Sequence, residues 1–244
     1  SPITGNNISN VASGAGGSGG NQTGTAAPGA GASSGIAYGL LFVTATGDWA
    51  QNNVIYNVTS GNGGLAGRGG TNISAGGASA AAYGIYIPNI RMNISYPIAY
   101  NNVTLISSGA GANGSGTGAG GASGISYGIY VTGAFNGNRT LSFNNISGVY
   151  SGIPGKSGNT TAGVASAAAY GIYIITIANY TVANNTISNI ITGQGGAGGN
   201  SNNTTAAGIG GASGVAAGID IFSLTTSPIT GNNISNVASG AGGS

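Results

Sequence analysis

The chain has no cysteine and no histidine, and only six of its 244 residues carry a charge: Asp48, Asp220, Arg68, Arg91, Arg139 and Lys156. Each absence closes a class of function. Without cysteine there is no disulfide framework, no thiol nucleophile and no cysteine metal site. With no histidine and no glutamate, metal ligation and acid–base chemistry fall on two isolated aspartates. Four scattered basic residues and a net charge of +2 make no nucleic-acid footprint, which needs clustered cations to release counterions from phosphates. No run of about 18 apolar residues occurs, so no membrane span is expected in this segment. There is no signal peptide or initiator Met, and the chain opens inside a repeat. It reads as a segment of something longer.

Glycine, in contrast, occurs 52 times, and hydrophobic residues make up 40 % of the chain. That hydrophobic share is too high, and the charge too low, for a disordered chain. The glycines do not follow the strict Gly-X-Y period of collagen. A motif recurs instead. Tyr83-Gly84-Ile85-Tyr86-Ile87 returns as Tyr127-Gly128-Ile129-Tyr130-Val131 and Tyr170-Gly171-Ile172-Tyr173-Ile174. Looser copies are Tyr38-Gly39-Leu40-Leu41-Phe42 and Ala217-Gly218-Ile219-Asp220-Ile221. The marker glycines are spaced by 45, 44, 43 and 47 residues. A period of this size is the signature of stacked repeats.

A longer echo lies over the short one. Residues 1–18 are identical to residues 227–244, a super-repeat of 226 residues and five units. A duplicated end on an ordinary protein is the bland explanation. A long array, or a filament subunit, fits the phase better. Residues 1–244 are thus read as a single β-solenoid segment of five repeat units, with 227–244 repeating 1–18.

Helix is excluded by the missing 3.6-residue apolar spacing and by the glycine and β-branched content. The marker stretch alternates with period two, a strand signal. One parity collects Leu40 and Phe42, Ile85 and Ile87, Ile129 and Val131, Ile172 and Ile174, and Ile219 and Ile221. Extended upstream it adds Tyr38, Tyr83, Tyr127, Tyr170 and Ala217, and before them Ile36, Ala81, Ile125, Ala168 and Val215, so the whole set of twenty is expected to face inward. The other parity places Tyr86, Tyr130 and Tyr173 outward as a ladder, with Asp220 at the equivalent position. Strands this far apart and this alike do not form hairpins. They stack in parallel and in register along a solenoid axis, about 4.8 Å apart.

The pattern YGIYI, turn, short strand, NNxIxN resembles the right-handed parallel β-helix repeats of pectate-lyase-like polysaccharide enzymes, copper-maturation proteins and surface adhesins. The resemblance covers all five units. It departs from those families in the inserts of about 20 Gly-rich residues per unit, since family coils are shorter. The expected fold is therefore all-β, one coil per 43–47 residues with the insert bulging at a corner. Two thin coils per unit is the alternative.

Asparagine pairs recur at Asn6-Asn7, Asn52-Asn53, Asn101-Asn102, Asn144-Asn145, Asn184-Asn185 and Asn232-Asn233. Asn tolerates the left-handed backbone of a coil corner, and in register its amides form ladders. The competing role is glycosylation. Asn-X-Ser/Thr acceptors number 15 of 29 Asn, against about six by chance. Those in inserts are Asn21, Asn72, Asn113, Asn159, Asn202 and Asn203; Asn57, Asn93, Asn138, Asn179 and Asn184 lie elsewhere. Asn7, Asn102 and Asn145 are contested between the two roles. Dense sugar would solve the solubility of a nearly uncharged surface, and it points to an extracellular or cell-surface location of archaeal style.

Catalysis is disfavoured. Glycoside hydrolysis needs two carboxyl groups within about 5–10 Å, and Asp48 and Asp220 belong to different units. The resemblance implies lyases that hold calcium with several carboxylates, and these are missing. No phosphate-loop context surrounds the glycine runs, and threonine is too scattered for an ice-binding array. The expectation is a structural filament or stalk, not an enzyme, with no cofactor. Its partners are its own repeats, end to end, and covalent N-linked glycans. An adhesin using Tyr86, Tyr130 and Tyr173 to stack on sugar is the alternative.

Overall fold

The computed structural model describes residues 2–43, 49–69, 73–88, 97–133, 139–176, 180–201, 206–223 and 228–244. It is a parallel β-solenoid. Each coil contributes one strand to each of three all-parallel sheets. The first sheet stacks β1 (Pro2–Thr4), β4 (Trp49–Gln51), β7 (Ile98–Ala99), β10 (Arg139–Ser142), β13 (Tyr180–Ala183) and β16 (Ile229–Thr230). The second stacks β2 (Asn7–Ala12), β5 (Val54–Thr59), β8 (Asn102–Ser107), β11 (Asn145–Tyr150), β14 (Thr186–Ile191) and β17 (Asn233–Ala238). The third stacks β3 (Ala37–Leu41), β6 (Ala82–Ile87), β9 (Ser126–Gly133), β12 (Ala169–Thr176) and β15 (Ala216–Ser223), with marker strands in register, as in Tyr83↔Tyr127 and Ile85↔Ile129. There is one coil per unit, and the insert leaves between the second- and third-sheet strands.

The core is a set of axial rows. Leu40, Ile85, Ile129 and Ile172 form one and Phe42, Ile87, Val131 and Ile174 the next, all buried; Ile219 and Ile221, in the last complete coil, pack against them half-covered. The second sheet adds Ile55 and Val58, Val103 and Ile106, Ile146 and Val149, and Ile187 and Ile190. These pairs are three residues apart, not two. A left-handed residue between them turns the strand: Asn10, Asn57, Leu105, Gly148, Asn189 and Asn236 all have positive φ there. Asn and Gly reach this region at small cost.

The third sheet breaks period two as well, and this corrects the upstream part of the expected inward set. Ala82 and Gly84 face the core, and so does Ile85; Tyr83 turns to the outer side and stacks on Tyr86 at 4.8 Å. Tyr38, Tyr127 and Tyr170 follow it outward, and the position two residues upstream is not inward either: Ile36 and Val215 are exposed and Ala81, Ile125 and Ala168 only half-buried. The cause is steric. A Cβ at Gly84 would lie 2.3 Å from Val103 Cγ1, and one at Gly128 2.5 Å from Ile146 Cγ2. Only an inward glycine lets the third-sheet backbone press onto the isoleucine row opposite.

The inserts are not loops. Each is an outgoing and a returning extended limb whose hydrogen bonds recur every third residue. Ser13, Gly16, Gly19 and Gln22 donate to the carbonyls of Thr59, Asn62, Leu65 and Arg68 in the next coil, at 2.8–3.1 Å. Gly29 and Ala32 donate across the hairpin to Gly20 and Gly17 at 2.9 and 2.8 Å. Limbs with a three-residue period and bonds only to neighbours have the character of polyproline II. They pack as a two-layer slab in which backbone meets backbone: a Cβ at Gly31 would lie 1.8 Å from the Gly64 carbonyl oxygen. Glycine dominates the inserts because almost nothing larger fits.

Candidate functional site

Three features recur along the solenoid and face either the axis or solvent: the asparagine pairs and the insert slab in each coil, and the tyrosines in the first four. The pairs divide their labour. Asn53, Asn101, Asn144 and Asn185 are buried and align with Asn6 and Asn232. At each step the backbone N–H and the Nδ2 of one Asn both donate to the Oδ1 of the next, at 2.9–3.2 Å. The remaining Nδ2 hydrogen goes to a carbonyl of the preceding coil, such as Asn144 to Ile98 at 2.9 Å. Every amide is thereby satisfied, which a buried amide requires.

None of these ladder residues is an acceptor for glycosylation. The acceptors Asn7, Asn102, Asn145, Asn184 and Asn233 are their neighbours and face away from the axis. Asn7, Asn102 and Asn145, which the sequence left contested with the inner ladder, are thus outside it. The residue before the ladder Asn is left-handed throughout: Gly5, Asn52, Tyr100, Phe143, Asn184 and Gly231. Tyr100 and Phe143 pay for this strain together, their rings stacked at 5.0 Å and 3°.

Of the other acceptors, Asn21, Asn113 and Asn159 are exposed on the outgoing limbs. Asn21 Oδ1 accepts from Arg68 N–H and Asn113 Oδ1 from Lys156 N–H, each at 2.8 Å. Those bonds use the oxygen, not Nδ2, the atom to which a sugar attaches. Asn57 is half-buried, and its Nδ2 donates to Asn10 Oδ1 at 2.8 Å. Asn72, Asn93, Asn138, Asn179, Asn202 and Asn203 lie outside the described residues, as does Asp48.

The tyrosines form two columns. Tyr38, Tyr83, Tyr127 and Tyr170 are stacked 5.0–5.5 Å apart. Tyr86, Tyr130 and Tyr173 follow at 5.0 and 5.3 Å. The columns touch each other, with Tyr127 and Tyr130 at 4.7 Å. Ring faces are therefore largely covered by other rings. Burial raises the phenol pKa of Tyr83 and Tyr127, and repulsion from neighbouring phenolates raises it further. Asp220 sits at the end of the second column, paired in register with Tyr173. On the first sheet, Arg139 is buried beside the fully buried Tyr180. Burial raises the Tyr180 pKa, and Arg139 partly offsets this.

A hydroxyl ladder at the neck of the inserts is not evident from the sequence. Ser60 Oγ donates to the Ala80 carbonyl of its own returning limb at 2.6 Å and accepts from Gly109 N–H of the next coil at 3.0 Å. Ser108 and Ser151 repeat the arrangement. The signal was a serine or threonine at the same phase of each unit.

Among the described residues no group of three potential metal ligands is present, and no helix is long and apolar enough to cross a membrane. No known protein family matches the chain, and neither a curated protein nor a solved structure matches it.

Proposed function

We propose that the chain is a structural protein, a β-solenoid of right-handed, adhesin-like type that builds a rigid, N-glycosylated filament or stalk at the cell surface by axial stacking of coils. Right-handed winding follows the strong preference of parallel crossovers.

The observation that carries the reading is the fit between coil faces. A Cβ at Gly61, Gly64 or Gly67 would lie 2.0–2.4 Å from a carbonyl oxygen of Gly14, Gly17 or Gly20 in the coil before. Gly14, Gly17 and Gly20 have nothing within 4 Å on that side, yet they are glycine too. Local packing gives no reason for glycine there. A further coil stacked on that face does. The second supporting feature is phase: residues 233–238 continue the second sheet on β14 with the sequence of residues 7–12. Another coil, in the same chain or in another copy, meets the surface it was built for.

A sugar-stacking role for Tyr86, Tyr130 and Tyr173 is the weaker reading, because sugar rings stack on aromatic faces and these faces are occupied by one another. The outward acceptors Asn21, Asn113 and Asn159 support the glycan part of the proposal.

The deciding experiment images the native assembly and maps glycopeptides by mass spectrometry. Continuous filaments with an axial repeat of about 24 Å per five coils, and sugar on the outgoing limbs, are expected. A compact monomer without sugar overturns the proposal.

A further inference from the structure

The insert slab has two unlike outer faces. On the outgoing limbs every third residue points out, and this row carries the polar and charged side chains of the slab: Asn62 and Arg68, Asn113, Lys156 and Asn159, and Asn200 are exposed there, interrupted by Leu65 and Ile153. On the returning limbs the outward position is apolar almost throughout. The second coil presents Ala75, Ala78 and Ala81, and the next presents Ala119, Ala122 and Ile125. The same phase is held by Ala162, Ala165 and Ala168, and at the far end by Ile209 and Val215, which are 78 % and 59 % exposed. The limbs lie in register, since Gly76 and Ser79 donate to the carbonyls of Ala119 and Ala122 at 3.0 and 2.9 Å, and Gly163 and Ser166 to Ile209 and Ala212 at 2.7 and 3.0 Å. The result is a flat lattice of methyl groups.

We propose that this face pairs two copies of the chain side by side, returning limb against returning limb. The charge pattern selects such a partner. None of the six charged residues and none of the 15 glycosylation acceptors lies on residues 29–37, 75–82, 118–126, 161–169 or 208–216. A charged partner of either sign gains nothing from this surface, and no sugar would stand on it. Geometry narrows the choice further. Rows about 9 Å apart along a limb and about 4.8 Å apart between coils interdigitate fully only with a surface of the same period. A second copy has that period, and identical small side chains mesh into a dry interface as they do between paired sheets. Area is sufficient. Five coils give a face of roughly 24 by 25 Å, so a pair buries about 1,200 Å², the lower bound of specific protein–protein interfaces. On one copy the face is about 600 Å², the upper end of what a soluble monomer leaves uncovered. Each further super-repeat adds the same again. The pairing is lateral and stands apart from axial stacking, so either can fail alone.

The chain's lack of cysteine makes the test direct. Ala122→Cys and, on the opposite face, Asn113→Cys are each treated with a short bis-maleimide under native conditions. Cross-linked pairs are expected from Ala122→Cys at no less than ten times the yield from Asn113→Cys. In a second arm, Ala122→Glu with Ala165→Glu is compared with wild type by sedimentation and electron microscopy, with circular dichroism to confirm the fold. Ala122→Gln with Ala165→Gln serves if the double glutamate fails to fold. Wild-type assemblies two solenoids wide that become one solenoid wide, without shortening, support the proposal. Equal cross-linking on both faces, or wild-type assemblies one solenoid wide, overturn it.

Discussion

At the scale of single residues, the molecule depends on polar side chains that are buried yet fully bonded. Asn144 is the clearest. Its Oδ1 takes two donors from Asn101 and its Nδ2 serves both Ile98 and Asn185. Asn144→Ala orphans several buried groups at about 1–3 kcal/mol each, whereas Asn145→Ala removes only an exposed bond to Asn102. Urea titrations should show a loss of at least about 3 kcal/mol for the first and little change for the second. Equal effects would mean the inner ladder has no special weight. The tyrosine columns carry a second residue-scale consequence, in pH. Tyr83 and Tyr127 have folded-state pKa values raised well above the usual phenol value, by burial first and by neighbouring phenols second. The folded chain thus holds these protons more tightly than the unfolded chain does. Their contribution is whole below a pH of about 10, the unfolded phenol value, and is lost as pH rises beyond it. Absorbance at 295 nm should therefore rise together with loss of circular dichroism, in one step, and Tyr127→Phe should move that step to higher pH. Ionisation of Tyr127 near its ordinary value in a still-folded protein would contradict the coupling.

At the scale of the element, the unit is a coil that mixes two spacings: inward residues lie two apart after each marker glycine and three apart in the second sheet, and the slab's hydrogen bonds recur every third residue. The 43–47-residue spacing made the coil visible, and the period-two run after each marker glycine made Ile85 and Ile87 legible as one face. What stayed hidden has one physical cause: short-range rules assume a straight strand. Tyr83 and Ile85 share a parity only if Gly84 is extended like its neighbours, and packing against Val103 bends the strand there. The asparagine pairs read as equivalent because sequence does not say which of two adjacent amides meets the axis. The inserts read as low complexity because two of the three phases in each limb are glycine or another small residue, so the three-residue period stands out only once the hydrogen bonds are seen. The close approach is testable. Gly128→Ala sets a Cβ 2.5 Å from Ile146 Cγ2 and 2.6 Å from the Gly171 carbonyl oxygen. Overpacking of this kind costs about 1–3 kcal/mol. Gly24, with nothing within 4 Å, is the matched control, and Gly24→Ala should leave the melting temperature within error of wild type. A neutral Gly128→Ala would mean that the third sheet is free to move away from the second.

At the scale of the whole molecule, stability is a sum over coil interfaces, because each coil touches only those beside it. The two terminal coils each have one interface in place of two, so the share of poorly held coils falls as the array lengthens. A chain carrying residues 1–226 twice in tandem tests whether the 226-residue echo is a structural phase or a relic of duplication. If it is structural, Ile229 enters the first sheet of a sixth coil as Ile3 enters that of the first. The pairing of Thr186 with Asn233 and of Ile187 with Ile234 then runs on without a seam. One cooperative unfolding transition is expected, with a higher midpoint than the single copy and a denaturant slope close to twice as steep, since that slope follows the surface exposed. Five residues removed at the junction should restore the behaviour of two short solenoids, because the shift takes every inward side chain out of register. Two independent transitions in the intact tandem would mean that the super-repeats do not share an interface, and axial growth would then need another contact.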